Sequence, residues 1–286
     1  MAAGLASRYG SAKQVEGMGP NGEILLEYSM MDAARAGFER VVFIIRPELR
    51  PVLEGIVQAR HRGRMEVCYA VQDFSSVPAR VPAARVKPYG TVHAALCARP
   101  WVDGPFAVLN ADDYYGTEAF RLMHDFLTGD HAPDCAAMVG YRLASTVSRH
   151  GGVTRAICLG EDGWLSAARE VRDVRLRADG RIARMEEDRE VETLDPDALV
   201  SMNFWGFDAC QMAAMDEAFR AFLGSLAPDE LKREYLLPVF VDEQLRAGRL
   251  KVRILPTGDH WFGMTYPEDR PRVMEELRKL HAAGAY

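Results

Sequence analysis

The chain has 286 residues, 48% hydrophobic and 27% charged, a mixture that excludes a disordered or fibrous protein and is long enough for one large α/β domain. With 35 Lys and Arg against 41 Asp and Glu, the net charge is −6; this argues against nucleic acid or an anionic membrane as the main partner, while a few local basic groups suffice for a small phosphorylated ligand. No apolar run approaches the roughly 20 residues a bilayer needs, and the start MAAGLASRYG lacks a signal-peptide core, so a cytoplasmic location is expected.

Residues 27–37 read as a helix closed by Gly37, and RVVFIIR at 40–46 as a strand. Pro47 opens a helix to about Arg62, and MEVCYAV at 65–71 is the next strand. A loop with Pro78, Pro82 and Pro88 precedes a helix over 92–99, and FAVLNA at 106–111 is a buried strand. This alternation predicts a three-layer α/β domain with a mostly parallel, Rossmann-like sheet covered by helices on both faces. From 135 to 208 the strands AAMVGYRL, VTRAICL, LSAARE and LVSMNFWGF are punctuated by glycines and predict a mixed or antiparallel extension. Helices at about 210–224 and 229–247, a strand at 250–256 and a helix from Pro267 to about Ala283 complete the chain. One domain is expected, with a nucleotide half over 1–130 and an acceptor half over 131–286.

Cys68, Cys97, Cys135, Cys158 and Cys210 form no C-x-x-C pair and read as reduced, mostly buried thiols. Only five of the 35 basic residues are Lys, so the positions that keep Lys stand out.

Three segments carry chemistry. In Ala2-Ala3-Gly4-Leu5-Ala6-Ser7-Arg8, followed by Lys13-Gln14, small residues allow main-chain N–H groups close to an anion, and Arg8 and Lys13 add a fork donor and a point charge. A solvated loop would read similarly. In Lys87-Pro88-Tyr89-Gly90-Thr91, Gly90 lets the backbone approach a flat ligand and Thr91 fits a helix N-cap; a simple Pro-Gly loop is the alternative. In Leu109-Asn110-Ala111-Asp112-Asp113-Tyr114-Tyr115-Gly116, adjacent carboxylates stand at the end of a buried strand, where α/β sheets bind ligands. Asp112 suits Mg²⁺, a hard oxygen-seeking cation; capping of the following helix by Asp112 or Asp113 is the alternative.

In order and spacing these segments resemble the sugar-1-phosphate nucleotidylyltransferase family, a nucleotidyltransferase fold of GT-A-like type, over nearly the whole chain. Residues 2–14 match its A-A-G-x-G-[S/T]-R turn and later Lys except at Ala6, where the family has Gly. KPYGTVHAAL at 87–96 is similar to its base-recognition loop, and LNADDYYG to its metal segment, with Asp112 at the metal aspartate. Gly152-Val153, Glu170 and Asn203 resemble its sugar-facing positions. Val171 stands where the family often has Lys after the acceptor-side glutamate, with Arg169 or Arg172 nearby as a substitute. Glu234-Tyr235-Leu236-Leu237-Pro238 carries no late metal aspartate. Asp259-His260-Trp261-Phe262-Gly263 is similar to a stretch in bacterial members; a packed aromatic corner is the simplest reading. The family's turn follows an apolar strand of about six residues, whereas only Met1-Ala2-Ala3 precede Gly4, so residues encoded upstream of Met1 are expected to complete it.

The resemblance implies attack of a sugar 1-phosphate oxygen on the α-phosphorus of a nucleoside triphosphate, releasing pyrophosphate. Asp112 would hold Mg²⁺ on the phosphates, Arg8 and Lys13 the leaving pyrophosphate, Ala2, Gly4, Lys87, Gly90 and Thr91 the nucleotide, and Gly152, Glu170 and Asn203 the acceptor. A cytidylyltransferase for a phosphorylated alcohol such as phosphocholine, and a catalytically silent nucleotide-sugar-binding regulator, are the alternatives. A homo-oligomer is compatible with all three.

Overall fold

The computed structural model describes residues 1–2, 16–264 and 266–286. The turn residues Gly4, Ala6, Arg8 and Lys13 lie outside the described residues.

Helix α1 (Leu25–Ala36) ends at Gly37, whose φ of 107° is the left-handed stop expected of a C-terminal glycine. Strand β1 (Arg40–Ile45) pairs in parallel with β2 (Glu66–Val71), with α2 (Arg50–Ile56) between them. Beside β1 lie Met1 and Ala2. The Ala2 N–H donates to the Ile44 carbonyl at 2.6 Å, the Ala111 N–H donates to the Met1 carbonyl at 3.0 Å, and the Met1 amino group donates to the Leu109 carbonyl at 2.7 Å. These bonds join β1 to the end of β3 (Phe106–Val108).

Past β3 the pairing changes hand. Strand β10 (Leu199–Phe207) lies between β3 and β5 (Cys135–Arg142), antiparallel to both, and β11 (Lys251–Pro256) pairs in parallel with β5. Strands β6 (Val153–Glu161), β7 (Trp164–Leu176), β8 (Ile182–Glu186) and β9 (Arg189–Leu194) form an antiparallel meander from the other end of β10. A bridge from Trp164 in β7 to Arg253 in β11 closes β11, β5, β10, β6 and β7 into a ring. The expectation of a mostly parallel sheet therefore needs correction: among the described residues most pairings are antiparallel, and β1–β2 and β5–β11 are the parallel strand pairs. Hairpin turns too short for a crossover impose this on β6–β9.

Strand β5 shows why two layers of helix are needed. Alternating side chains send Ala136 and Met138 into one core and Ala137, Val139 and Tyr141 into the other. The first is covered by α3 (Thr91–Cys97), α5 (Gln211–Gly224) and α6 (Leu237–Arg246), the second by α4 (Thr117–Thr128). The helix expected over 229–247 begins only at Leu237. Residues 230–235 are instead held in a loop, because buried Arg85 donates to the carbonyls of Glu230 and Arg233 at 3.2 and 2.7 Å. Helix α7 (Arg270–Ala282) packs Val273 and Leu277 against Tyr28 of α1 and two short paired strands, β4 (Asp113–Tyr114) and β12 (Phe262–Gly263).

None of the five cysteines is in a disulfide; Cys97 and Cys135 are buried, whereas Cys210 is exposed, against expectation. No described helix is long and apolar enough to cross a membrane.

Candidate active site

The carboxyl end of β3 is the centre of the site. Asn110 follows this strand, and its Nδ2 donates to Asp113 Oδ2 at 3.0 Å. Tyr115 is buried and its hydroxyl bonds in three directions: it accepts from the Asn110 N–H at 3.1 Å and lies 3.4 Å from Asp113 Oδ2 and 3.0 Å from the Met202 carbonyl. Across from it β10 is bulged. Its register to β5 jumps between Ser201 and Trp205, and Asn203 within the bulge has φ 64°. Left-handed backbone is costly outside glycine and mildest for Asn. Here it turns the Asn203 side chain so that Nδ2 donates to Asn110 Oδ1 at 2.8 Å while Oδ1 accepts from Trp205 Nε1 at 2.9 Å. A bulge that re-aims a polar side chain is a common active-site device. Asn203 and Asn110, 93 residues apart, thus belong to one hydrogen-bonded unit.

Next to this unit is a half-open cavity of about 210 Å³. Asn110, Asp113, Ser201 and Asn203 line its polar end. Ala156 of β6 and Leu165 and Ala168 of β7 form one wall, and Pro238, Val241, Asp242 and Leu245 of α6 the other. Asp242 was missed in the sequence. Its signal was a carboxylate on the helical stripe Pro238, Val241, Asp242, Leu245, spaced i, i+3, i+4, i+7. It pairs with Arg246 at 2.9 Å.

Asp112 and Asp113 are not the caps of α4. That helix starts after Gly116, and the amide of Ala119 in its first turn donates to Asp259 Oδ2 at 2.9 Å. Burial raises the Asp259 carboxyl above its ordinary range, and the Ala119 amide pulls it back. Asp259 opens the D-H-W-F-G stretch, whose role now has a physical basis. Phe262 stacks on Tyr114 with ring centroids 4.4 Å apart, and Gly263 pairs with Asp113. A Cβ on Gly263 would stand 2.2 Å from Asp113 Oδ1. The stretch is a backing strand for β4, and the glycine is there because the Asp113 carboxylate lies against it. Trp261 is buried beside Arg155, whose guanidinium is 5.1 Å from the indole centroid. Burial pulls the Arg155 guanidinium down to about 10, with Asp113 and Asp269 opposing the shift. Arg155 is thus a buried cation near Asp113.

The base-loop residues are placed differently from expectation. Gly90, not Thr91, is the N-cap of α3. The Thr91 hydroxyl instead accepts from the Leu237 N–H at 2.7 Å, at the first residue of α6. The close approach that Gly90 permits is to protein: with φ 96°, a Cβ there would lie 2.6 Å from the Tyr235 carbonyl oxygen. Gln72 holds the Gly90 carbonyl at 3.0 Å. Lys87 pairs with Glu234 at 2.5 Å at the surface. Ala2 is buried between β1 and the end of β3.

On the acceptor side, the Gly152 carbonyl accepts from the Tyr266 hydroxyl at 2.6 Å, and a Cβ on Gly152 would overlap the Asp173 carboxylate. Glu170 is exposed on β7, directly paired with the lining residue Ala156. Arg172 pairs with it at 2.7 Å, whereas Arg169 turns to Glu192. Val171 is buried in the core, so no side chain at that position faces the acceptor.

Among the described residues no group of three or more His, Cys, Asp or Glu is arranged around a metal position. The donors at the end of β3 are all oxygen, in Asp112, Asp113 and Asn110, and Mg²⁺ takes one or two carboxylates with the rest of its shell from water and phosphate. The residues present therefore suit Mg²⁺.

No family model matches the chain, nor does any curated protein sequence. Among solved structures the chain is similar over nearly its full length to an inositol-1-phosphate CTP transferase from T. maritima, with 11% identity, a TM-score of 0.61 and coverage of 96% of this chain and 93% of that one. It is similar to HddC from Yersinia pseudotuberculosis complexed with GMP-PN, at 10% identity and a TM-score of 0.57 over 97% and 96%. It is also similar to a UDP-glucose pyrophosphorylase complexed with UDP-glucose, at 16% identity and a TM-score of 0.58 over 96% and 95%. At such identities the likeness is one of fold.

Proposed function

We propose that the protein is a nucleotidylyltransferase that joins a nucleoside triphosphate to a sugar 1-phosphate and releases pyrophosphate. The observation that carries this reading is the unit at the end of β3. There Asn110, Asp113 and Asn203 are locked together beside a cavity, with Asp112 adjacent in sequence, in a nucleotidyltransferase fold.

The chemistry asks little of side chains as acids or bases. The acceptor phosphate oxygen is already a nucleophile, so catalysis consists of in-line placement and charge neutralisation. Asp112 would hold Mg²⁺, which when bound neutralises charge on the phosphates. Arg8 and Lys13 would hold the leaving pyrophosphate, and Ala2 and Gly4 would serve the nucleotide. Gly90 and Thr91 serve the base side by fixing their loop to Tyr235 and Leu237, with Lys87 at its edge. Asn203, Glu170 and Gly152 border the acceptor. The nucleotide half is 1–130 and the acceptor half 131–286.

The test is incubation with Mg²⁺, each of the four triphosphates, and sugar 1-phosphates, inositol 1-phosphate or phosphocholine. Pyrophosphate and a nucleotide-linked product of matching mass are expected with at least one sugar 1-phosphate. Turnover with phosphocholine alone would replace the sugar reading. Absence of product from every pair, with tight nucleotide-sugar binding, would replace the enzyme with a binding protein.

A further inference from the structure

The cavity beside Asn203 has a chemistry that the transfer reaction leaves unassigned. Its polar groups Asn110, Asp113, Ser201 and Asn203 are gathered together by hydrogen bonds. Away from these groups both walls are carbon. Ala156, Leu165 and Ala168 face it from the β6–β7 hairpin, and Pro238, Val241 and Leu245 from α6. The other polar side chains on its described lining are Trp205, whose indole N–H donates to Asn203 Oδ1, and Asp242, engaged with Arg246. Among the described residues no Lys, Arg or His lines it. No described lining residue offers a cation to a phosphate, and the carbon walls suit a part of the substrate without phosphate. The wall is built from small and branched aliphatic side chains, two of them, Leu165 and Val241, in the main core cluster.

Resting on the transfer reaction above, we infer that the cavity selects an acceptor whose sugar ring presents a deoxygenated, methyl-bearing face, a deoxy-sugar 1-phosphate. The anomeric phosphate stays outside the cavity, beyond its polar end. The ring hydroxyls nearest it meet Asn203, Ser201 and Asn110. The far side of the ring lies between Ala168 and Val241, where a hydroxyl would give up its water for carbon neighbours and a methyl group would not. One remaining hydroxyl can donate to Asp242. Ala168 and Val241 are thereby specificity-determining residues, since each places a methyl where a polar side chain would offer a partner to a hydroxyl.

The experiment compares matched acceptors with the same triphosphate: glucose 1-phosphate with 6-deoxyglucose 1-phosphate, galactose 1-phosphate with fucose 1-phosphate, and mannose 1-phosphate with rhamnose 1-phosphate. The deoxy member is expected to lead in kcat/KM by about tenfold or more within at least one pair, the scale at which one apolar group in an apolar pocket discriminates. In Ala168→Ser, at an exposed and small position, that ratio should fall at least threefold; being a ratio within one protein, it is unmoved by a general loss of stability. Val241→Thr, which keeps the side-chain shape, should act in the same direction. Equal or better turnover of the hydroxylated member in every pair would overturn the inference and leave the transfer reaction standing. An unchanged ratio in both variants would overturn it as well. Absence of pyrophosphate from every combination would overturn the transfer reaction, and the inference with it.

Discussion

Gly263 and Asp113 show how tightly the site is built at single residues. The glycine has no stretch of unusual backbone to explain it; it is required because Asp113 Oδ1 occupies the place of its Cβ. Gly263→Ala should displace the carboxylate and break its bond to Asn110. We expect kcat to fall at least a hundredfold, with a melting temperature lower by only a few degrees, checked by pyrophosphate release alongside circular dichroism. Asp32 offers a second residue-scale test. It is buried between α1 and the carboxy-terminal Tyr286, whose hydroxyl donates to it at 2.6 Å, and Thr117 and Arg35 lie on its other oxygen. Burial dominates and pushes its carboxyl up to about 6. The folded protein therefore binds the Asp32 proton more tightly than the unfolded chain does. Stability from this group is greatest below pH 4, declines as pH rises, and is gone above about 6. The loss is on the order of 3 kcal/mol. Asp32→Asn removes the titration. Urea melts at pH 4, 5, 6 and 7 should show the stability of wild type minus variant falling across this window. A flat difference would mean that Asp32 is ionised in the fold throughout.

Among elements, the backing strand β12 holds Asp113 and Tyr114 of β4 in place. It is anchored at one end by Asp259 on the first turn of α4 and at the other by Phe262 on Tyr114. Asp259→Ala removes a helix cap and loosens β12 together. A cap of this kind contributes about 1 kcal/mol, so a small shift in urea midpoint is expected together with a several-fold loss in kcat/KM. A shift in midpoint with unchanged kinetics would show that β12 and the metal segment are not coupled. This arrangement also explains what the sequence hid. The W-F-G stretch was visible as a motif, but its partner lies about 150 residues earlier, and only the fold brings β12 to β4. Thr91 was readable as a capping residue, yet the helix end it serves is α6. The helix expected from 229 begins at Leu237 because Arg85 holds 230–235 in a loop, and the carboxylate that α6 brings to the cavity is Asp242. By contrast β1 and β5 are legible as largely apolar runs, and β5, buried on both faces, needs no distant information.

At the scale of the whole molecule, one bulged strand joins the two halves. Strand β10 receives β3 on one side and β5 on the other, and its bulge hands Asn203 to Asn110. Asn110, Asp113 and Asn203 are therefore held in one hydrogen-bonded unit beside the cavity, which suits the proposed reaction, since it depends on placing two phosphates in line. The phosphate turn should answer to the same logic. Lys13→Ala is expected to reduce pyrophosphate release far more than Lys279→Ala, whose ammonium is exposed and paired with Glu276. If Lys13→Ala stays within about threefold of wild type, roughly 0.6 kcal/mol, the turn is not a phosphate site.

The central claim is that Asp112 serves nucleotidyl transfer at the end of β3. The most direct measurement is Mg²⁺-dependent pyrophosphate release by wild type and Asp112→Asn, with the best triphosphate and sugar 1-phosphate pair, in samples shown by circular dichroism and thermal melting to be equally folded. Losing one carboxylate ligand should remove several kcal/mol of transition-state stabilisation. The account predicts turnover that requires Mg²⁺ in the wild type and falls at least a thousandfold in Asp112→Asn. A variant that turns over at close to the wild-type rate, or a wild type that releases no pyrophosphate from any pair, would contradict it.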